Sequence, residues 1–423
     1  MIKNFNLPRN NKKRVIIVGA GFAGLKLARL LADSKFQVLL IDKRNFHQFQ
    51  PLFYQVATSG IEPSLISFPV RKTFQKHANL HFRNIELKEV KPEENTIITE
   101  AGEINYDFLV IATGVNTNYF GNANIESNSI PMKSTAEAIN LRNRILTSYE
   151  KAILTENESD QSQLLSFSIV GGGPTGVELS GAIAELKNFV LPKDYPELDF
   201  SKMKIRLYEA SPRLLNGMSE KSGNDAVKYL EKLGVEVHLG ARIDNYDGTT
   251  ISLADGSSVD SKNFIWTAGV SGKRISGFND NDYLGASRLL VNETNNLVNY
   301  ENIFAIGDNA LMPSKQYPKG HPQVAQVAIQ QGVLLAKNLK SGKWKPFTYK
   351  DKGSMATIGR NMAVCDLPGM RFSGRFAWFM WLVIHLMAIV GVKNRFFIFV
   401  NWAQSYFMRD QSLRVLIRPF EKK

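Results

Sequence analysis

Two stretches of the chain share one pattern of apolar and polar positions. In RVIIVGAGFAGLKLARLLA (14–32) a β-branched run stops at glycine, and apolar residues then return at helical spacing. FSIVGGGPTGVELSGAIAEL (167–186) repeats the pattern. Shorter apolar runs, FQVLLIDK, KIRLYEA, YDFLVIATG, NFIWTAGV and ENIFAIGDNA, end at acids or small residues and read as buried strands. Strands alternating with helical stretches predict an α/β fold with parallel sheets. NTIITEAGEINYDFLV and TTISLADGSSVDSKNFIWTAG read as hairpins with glycine turns. NESDQSQ (157–163) and NDNDYLGAS (279–287) read as polar connectors.

The junctions carry the chemistry. Each is strand–GxGxxG–helix, through Gly19, Gly21 and Gly24 and again through Gly171, Gly173 and Gly176. The first glycine permits a tight turn, the second lets backbone approach a pyrophosphate, and the third lets helix pack on strand. The helix N-terminus offers unpaired N–H groups to phosphate. In each copy a second strand ends in an acid, Asp42 and Glu209, placed to accept a ribose diol. The acid at Glu209 disfavours a 2′-phosphate, so NADH is expected over NADPH. These signals predict two Rossmann-like domains, one inserted in the other: 1–115 with 291–349, 116–290 within it, and a separate tail, 350–423.

HPQVAQVAIQQG (321–332) reads as the start of a helix. Gln326 and Gln330, four apart, share one face with small apolar neighbours. Either the two amides face a ligand or they pair with nearby backbone.

Composition narrows the possibilities. The single cysteine, Cys365, excludes an internal disulfide and a CxxC redox pair, and fits a reducing compartment. The six histidines lack ligand spacing, so no metal site is expected. No signal-peptide core precedes the first strand, so the N-terminus reads as unprocessed. Net charge is +13, and residues 351–423 hold 11 Lys and Arg against 4 Asp and Glu. That tail is lipid-like rather than solvated, which argues against nucleic acid. A 17-residue apolar run (376–392), interrupted by His385, falls short of the roughly 20 residues of a spanning helix. A second aromatic block (396–407) precedes Arg409, Arg414 and Arg418. Two apolar helices with basic flanks predict docking into one leaflet, cations on lipid phosphates.

Four stretches, FHQFQPLFYQVAT, GGGPTGVELSGAIAEL, AQVAIQQG and HLMAIVGVKNRFFIFVNWAQSYF, resemble the type II NADH:quinone oxidoreductases, single-subunit NADH dehydrogenases that do not pump protons. The glycine loops are shared widely among two-domain flavoproteins; the glutamine pair and the tail are more selective. The resemblance implies FAD on Gly19, Gly21, Phe22, Ala23, Gly24, Asp42, Lys43, Val90, Asp308, Ala325 and Gln326, with Lys393 near the flavin or else a surface anchor. It implies NADH on Gly171, Gly173, Gly176 and Glu209, with Glu178 near the nicotinamide. Hydride would pass from nicotinamide to flavin and two electrons onward to a quinone, with Glu178 relaying a proton and Gln326 and Gln330 beside the quinone. Ubiquinone and menaquinone both stay open. A peripheral respiratory-chain homodimer on the cytoplasmic side of the inner membrane is implied. Two alternatives remain: a soluble flavin-dependent NADH oxidase or reductase of a small redox protein, and an NADH-binding redox sensor.

Overall fold

The computed structural model describes residues 5, 7, 10–409, 411 and 413–417; Arg418 lies outside them. The chain divides into two compact units. The first is Met1–His47, Phe68–Asn116 and Val270–Asp351; the second is Gln48–Ser67, Thr117–Gly269 and Lys352–Lys423.

In the first unit five parallel strands run in the order Ile303–Ala305, Phe108–Ile111, Arg14–Val18, Gln37–Asp42, Leu80–Asn84. Alternation along the first strand feeds two cores, because successive side chains leave on opposite faces. Val15 and Ile17 pack with Leu27, Leu31, Leu335 and Leu339 of the helices Phe22–Leu31 and Ala325–Ser341. Ile16 and Val18 pack with Val90, Ile97 and Tyr283. Val90 and Ile97 belong to the antiparallel strands Leu87–Lys91 and Thr96–Thr99, and the latter pairs with Gly102–Asn105 as the hairpin pattern predicts. At Gly332 a Cβ would lie 2.8 Å from the Ala23 carbonyl, so glycine sets how closely the two helices approach.

The second unit repeats the plan. Its parallel sheet runs Ile130–Pro131, Asn263–Trp266, Ser166–Val170, Lys204–Glu209, Glu236–Leu239. The helix Pro174–Glu185 continues into a π-helical turn, Leu186–Val190. An antiparallel sheet, Ser354–Gly359, Met362–Leu367 and Met370–Ser373, packs on that helix. Gly181 makes this contact feasible: a Cβ there would meet the Ile358 carbonyl oxygen at 1.6 Å. Two helices, Arg375–Ala388 and Val392–Met408, follow.

Four expectations change. Residues 48–67, expected in the first unit, fall in the second. The return to the first unit comes at Val270 rather than 291, because Arg288–Leu290 pairs with Ala310–Leu311 in that unit's small sheet. Residues 352–423 belong to the second compact unit rather than to a unit of their own. Asp366 ties them in by accepting from the Ser219 N–H (2.5 Å), the Ser219 hydroxyl (3.0 Å) and the Ser222 hydroxyl (2.8 Å). The polar stretch 157–163 is largely helical, Glu158–Leu164, since Asn157 caps it by accepting from the Asp160 N–H at 3.1 Å.

Candidate functional site

The two glycine loops have the same internal bonding. Asp42 accepts from the N–H of Ala20 (2.6 Å) and of Arg44 (2.7 Å). Glu209 accepts from Gly172 (2.6 Å) and Ser211 (2.7 Å). Each carboxylate is thus fixed by backbone at the end of its strand, with lone pairs left for a diol. Burial raises the Asp42 pKa, and the two backbone N–H donors partly oppose that rise. Gly24 and Gly176 are the close-packing positions: a Cβ on either would sit 1.9 Å from the carbonyl oxygen of Gly19 or Gly171. Gly21 and Gly173, in contrast, face open space. Neither helix has a side-chain cap, whereas Ser134 and Ser219 cap the helices Thr135–Ile153 and Glu220–Lys232. Uncapped N–H groups beside an open glycine fit a pyrophosphate in both units. Phe22 and Ala23 form the first turn of the first helix. His47, not singled out in the sequence, steadies that loop through Nδ1 and the Ala20 carbonyl at 2.9 Å.

Around Asp308 several polar groups missed by sequence reasoning converge. The Gly307 N–H donates to Gln331 at 2.7 Å, and Gln323 donates to the Asp308 carbonyl at 3.0 Å. Asn309 Oδ1, Arg288 Nε and both ring nitrogens of His321 are buried with no hydrogen-bond partner. The open turn at Gly21, the backbone-fixed Asp42 carboxylate and the uncapped helix N-terminus of the first unit fit FAD. The periodicity could not separate Gln331 from its neighbours, because adjacent glutamines differ only in which face tertiary packing covers.

The helix Ala325–Ser341 opens at Val324 without a side-chain cap. Gln326 accepts from the Tyr349 hydroxyl at 3.4 Å. Gln330 departs from expectation: its amide donates to the Lys350 carbonyl (2.9 Å) and accepts the Lys350 N–H (3.0 Å). Of the two amides, Gln330 takes the backbone pairing. Val90 lies in the core, its N–H donating to Ser276 at 2.8 Å, so its backbone N–H is not open to an adenine. Lys43 is exposed. Lys393, also exposed, holds its ammonium 5.8 Å over the Phe397 ring.

Glu178 sits one turn into the second glycine-loop helix, 8% exposed. It lines a cavity of about 790 Å³ with Tyr54, Gln55, Glu185, Trp381 and Trp402. Burial drives its pKa up to about 8, with the Thr357 backbone and the Trp381 indole opposing. A carboxyl titrating there can hold or release a proton near neutrality. Tyr54 comes from the segment FHQFQPLFYQVAT; its hydroxyl accepts from Gln55 at 2.7 Å, and Gln55 accepts from the Trp402 indole at 2.8 Å. Burial and the neighbouring Glu178 push the Tyr54 phenol well above its ordinary value, so it stays neutral.

The tail helices leave an apolar face outward. Phe376, Phe379, Met387, Phe396 and Phe399 are each more than half exposed. At 1.5 Å per residue the 14- and 17-residue helices reach about 21 and 25 Å, short of a hydrocarbon core of roughly 30 Å. Among the described residues no helix is long and apolar enough to cross a membrane. His385 stacks on Trp381 with ring centres 4.0 Å apart, and burial lowers its pKa to about 4, so it is neutral within the apolar run. Two of the expected lipid-facing cations are engaged by protein: Arg414 pairs with Asp194, and Arg409 lies 5.0 Å over the Phe189 ring.

Residues 13–332 match the pyridine nucleotide-disulphide oxidoreductase family, and residues 352–410 match the NDH2 C-terminal domain. A type II NADH:quinone oxidoreductase of Mycobacterium tuberculosis is 34% identical over 93% of this chain and 88% of its own length. The fold matches NDH2 from Plasmodium falciparum, solved in complex with NADH, at TM-score 0.86 and 21% identity, covering 96% and 100% of the two chains. The sulfide:quinone oxidoreductase of Aquifex aeolicus matches at TM-score 0.71 and 19% identity, covering 96% of each chain.

Proposed function

This chain belongs to the type II NADH:quinone oxidoreductases, and we propose that Glu178 is the group in it that delivers a proton to the quinone. The enzyme is FAD-dependent and passes two electrons from NADH to a quinone without pumping protons. FAD, when bound, supplies the two-electron carrier between the two substrates.

The protein's own part is binding, orientation and proton supply. Gly19, Gly21 and Gly24 with Asp42 hold the FAD pyrophosphate and ribose; Gly171, Gly173, Gly176 and Glu209 do the same for NADH. Asp308, its turn fixed by Gln323 and Gln331, faces the polar chain of FAD. Gln326 donates to a quinone carbonyl without titrating, and Gln330 keeps the segment after the helix in place through Lys350. Ala325, at the uncapped N-terminus of that helix, leaves space for a flat ring.

The observation that carries the proton role is a carboxyl buried in the wall of a cavity beside Tyr54, Trp381 and Trp402, where loss of solvent raises its pKa. NADH brings two electrons and one proton as hydride, and a quinone takes two of each, so one proton per turnover comes from water. Glu178, protonated at neutral pH, can give it.

The apolar face of the tail helices supports peripheral docking on a lipid surface, from which a lipid-tailed quinone arrives. We place the enzyme on the cytoplasmic side of the inner membrane as a homodimer, both by family resemblance. Stopped-flow spectroscopy of Glu178→Gln tests the proton role. Flavin reduction by NADH keeps its wild-type rate while reoxidation by quinone slows about 100-fold. Equal slowing of both half-reactions removes the role.

A further inference from the structure

We infer that Glu185 is the proton entry point of this enzyme, passing a proton from solvent through the cavity to Glu178. The inference rests on the reading of Glu178 as proton donor and extends it to the source of the proton.

Glu178 and Glu185 are seven residues apart on one helix, hence on the same face, separated by about 10 Å along the axis. Both line the same cavity, as does Ala182 between them. Among the described residues lining it, they are the only carboxylic acids. The volume, about 790 Å³, accommodates the few waters needed to span about 10 Å.

The surroundings of Glu185 suit exchange rather than a fixed ion pair. Its Oε1 accepts the Arg360 N–H at 2.5 Å, an approach that Gly359 permits by having no side chain. The Arg360 guanidinium lies instead 4.0 Å over the Tyr406 ring, and Arg409 over Phe189. Both guanidiniums favour the Glu185 anion, yet burial outweighs them and raises its pKa. The helix Glu220–Lys232 contributes Tyr229 and Lys232 to the lining, and the first tail helix contributes Arg375. Burial pushes the phenol of Tyr54, also in the lining, well above its ordinary value. The π-helical turn starts immediately after Glu185 and carries Asn188 and Phe189 on to the same cavity, a distortion that recurs at functional positions.

The step balances. Per NADH oxidised, one proton from water binds Glu185, moves by way of cavity water to reprotonate Glu178, and replaces the proton Glu178 gave to the quinol.

Glu185→Gln separates relay from anchor, because its amide oxygen still accepts the Arg360 N–H. With NADH-reduced holoenzyme mixed with a short-chain quinone, flavin reoxidation in Glu185→Gln slows about tenfold, the deficit growing as pH rises, while reduction by NADH is unaffected. Glu185→Asp recovers most of the rate, and added acetate restores part of it in Glu185→Gln. Difference infrared spectra lose one pH-dependent carboxyl band. Wild-type reoxidation in Glu185→Gln at every pH overturns the inference, as does a deficit that neither varies with pH nor responds to acetate. Slow reoxidation in Glu178→Gln beside a normal Glu185→Gln removes this relay alone; normal reoxidation in Glu178→Gln removes the Glu178 reading and the relay together.

Discussion

Gln330 and Lys350 close a two-bond ring, side-chain amide against backbone, at 2.9 and 3.0 Å. Gln326, one turn earlier, accepts from the Tyr349 hydroxyl at 3.4 Å. The two glutamines therefore have different consequences. Gln326→Leu lowers kcat with quinone about tenfold with little loss of stability, because an amide donating to the acceptor is worth on the order of 1 kcal/mol or slightly more. Gln330→Leu lowers thermal stability by about 1 kcal/mol and affects quinone turnover less. Steady-state kinetics alongside thermal melts separates them; equal loss of turnover in both would return Gln330 to the quinone site.

Burial of Glu178 predicts a pH-dependent stability. Its folded-state pKa, about 8, lies above the 4.5 of an ordinary glutamate. Between those values the unfolded chain has lost the proton and the native chain retains it, so stability is full below about 4.5 and falls as pH rises towards 8. Glu178→Gln removes this contribution, flattening the decline by up to a few kcal/mol. Urea unfolding of the second unit's signal at acid and alkaline pH measures it. Parallel curves for the two proteins would show that Glu178 ionises as easily in the fold as out of it.

The glycine loops make a paired prediction. Gly24→Ala places a Cβ 1.9 Å from the Gly19 carbonyl oxygen, and Gly176→Ala does the same against Gly171. The first variant purifies with little or no flavin colour. The second stays yellow but loses NADH affinity by at least about tenfold, since each helix must back away from its strand. Flavin content and NADH titration are the measurements; flavin loss in both variants equally would contradict the assignment of one loop to each nucleotide.

The tail predicts reversible membrane binding. Replacing Phe376, Phe379, Phe396 and Phe399 by serine removes much of the exposed apolar face, more than half exposed at each position. Co-sedimentation with anionic vesicles then falls about tenfold or more. Activity on a short-chain, soluble quinone persists. Undiminished sedimentation would place the docking surface elsewhere.

Much of this was legible in sequence because it is local. A β-branched run, three glycines at fixed spacing and an acid ending the next strand are covalently close, so the chain itself dictates turn, helix start and acid position. Asp42 and Glu209, the glycine loops and the two apolar tail helices follow from such patterns. Tertiary structure decided whatever depends on which face is covered. Gln330 and Gln331 are neighbours in the chain, but one closes on Lys350 and the other receives the Gly307 N–H. Residues 48–67 and the C-terminal 72 belong with the second unit because their partners, such as Ile358 against Gly181, are distant in sequence. The elevated pKa of Glu178 has the same origin: a carboxyl's proton affinity reflects the solvent it has lost, and only the assembled cavity wall of Tyr54, Trp381 and Trp402 removes that solvent.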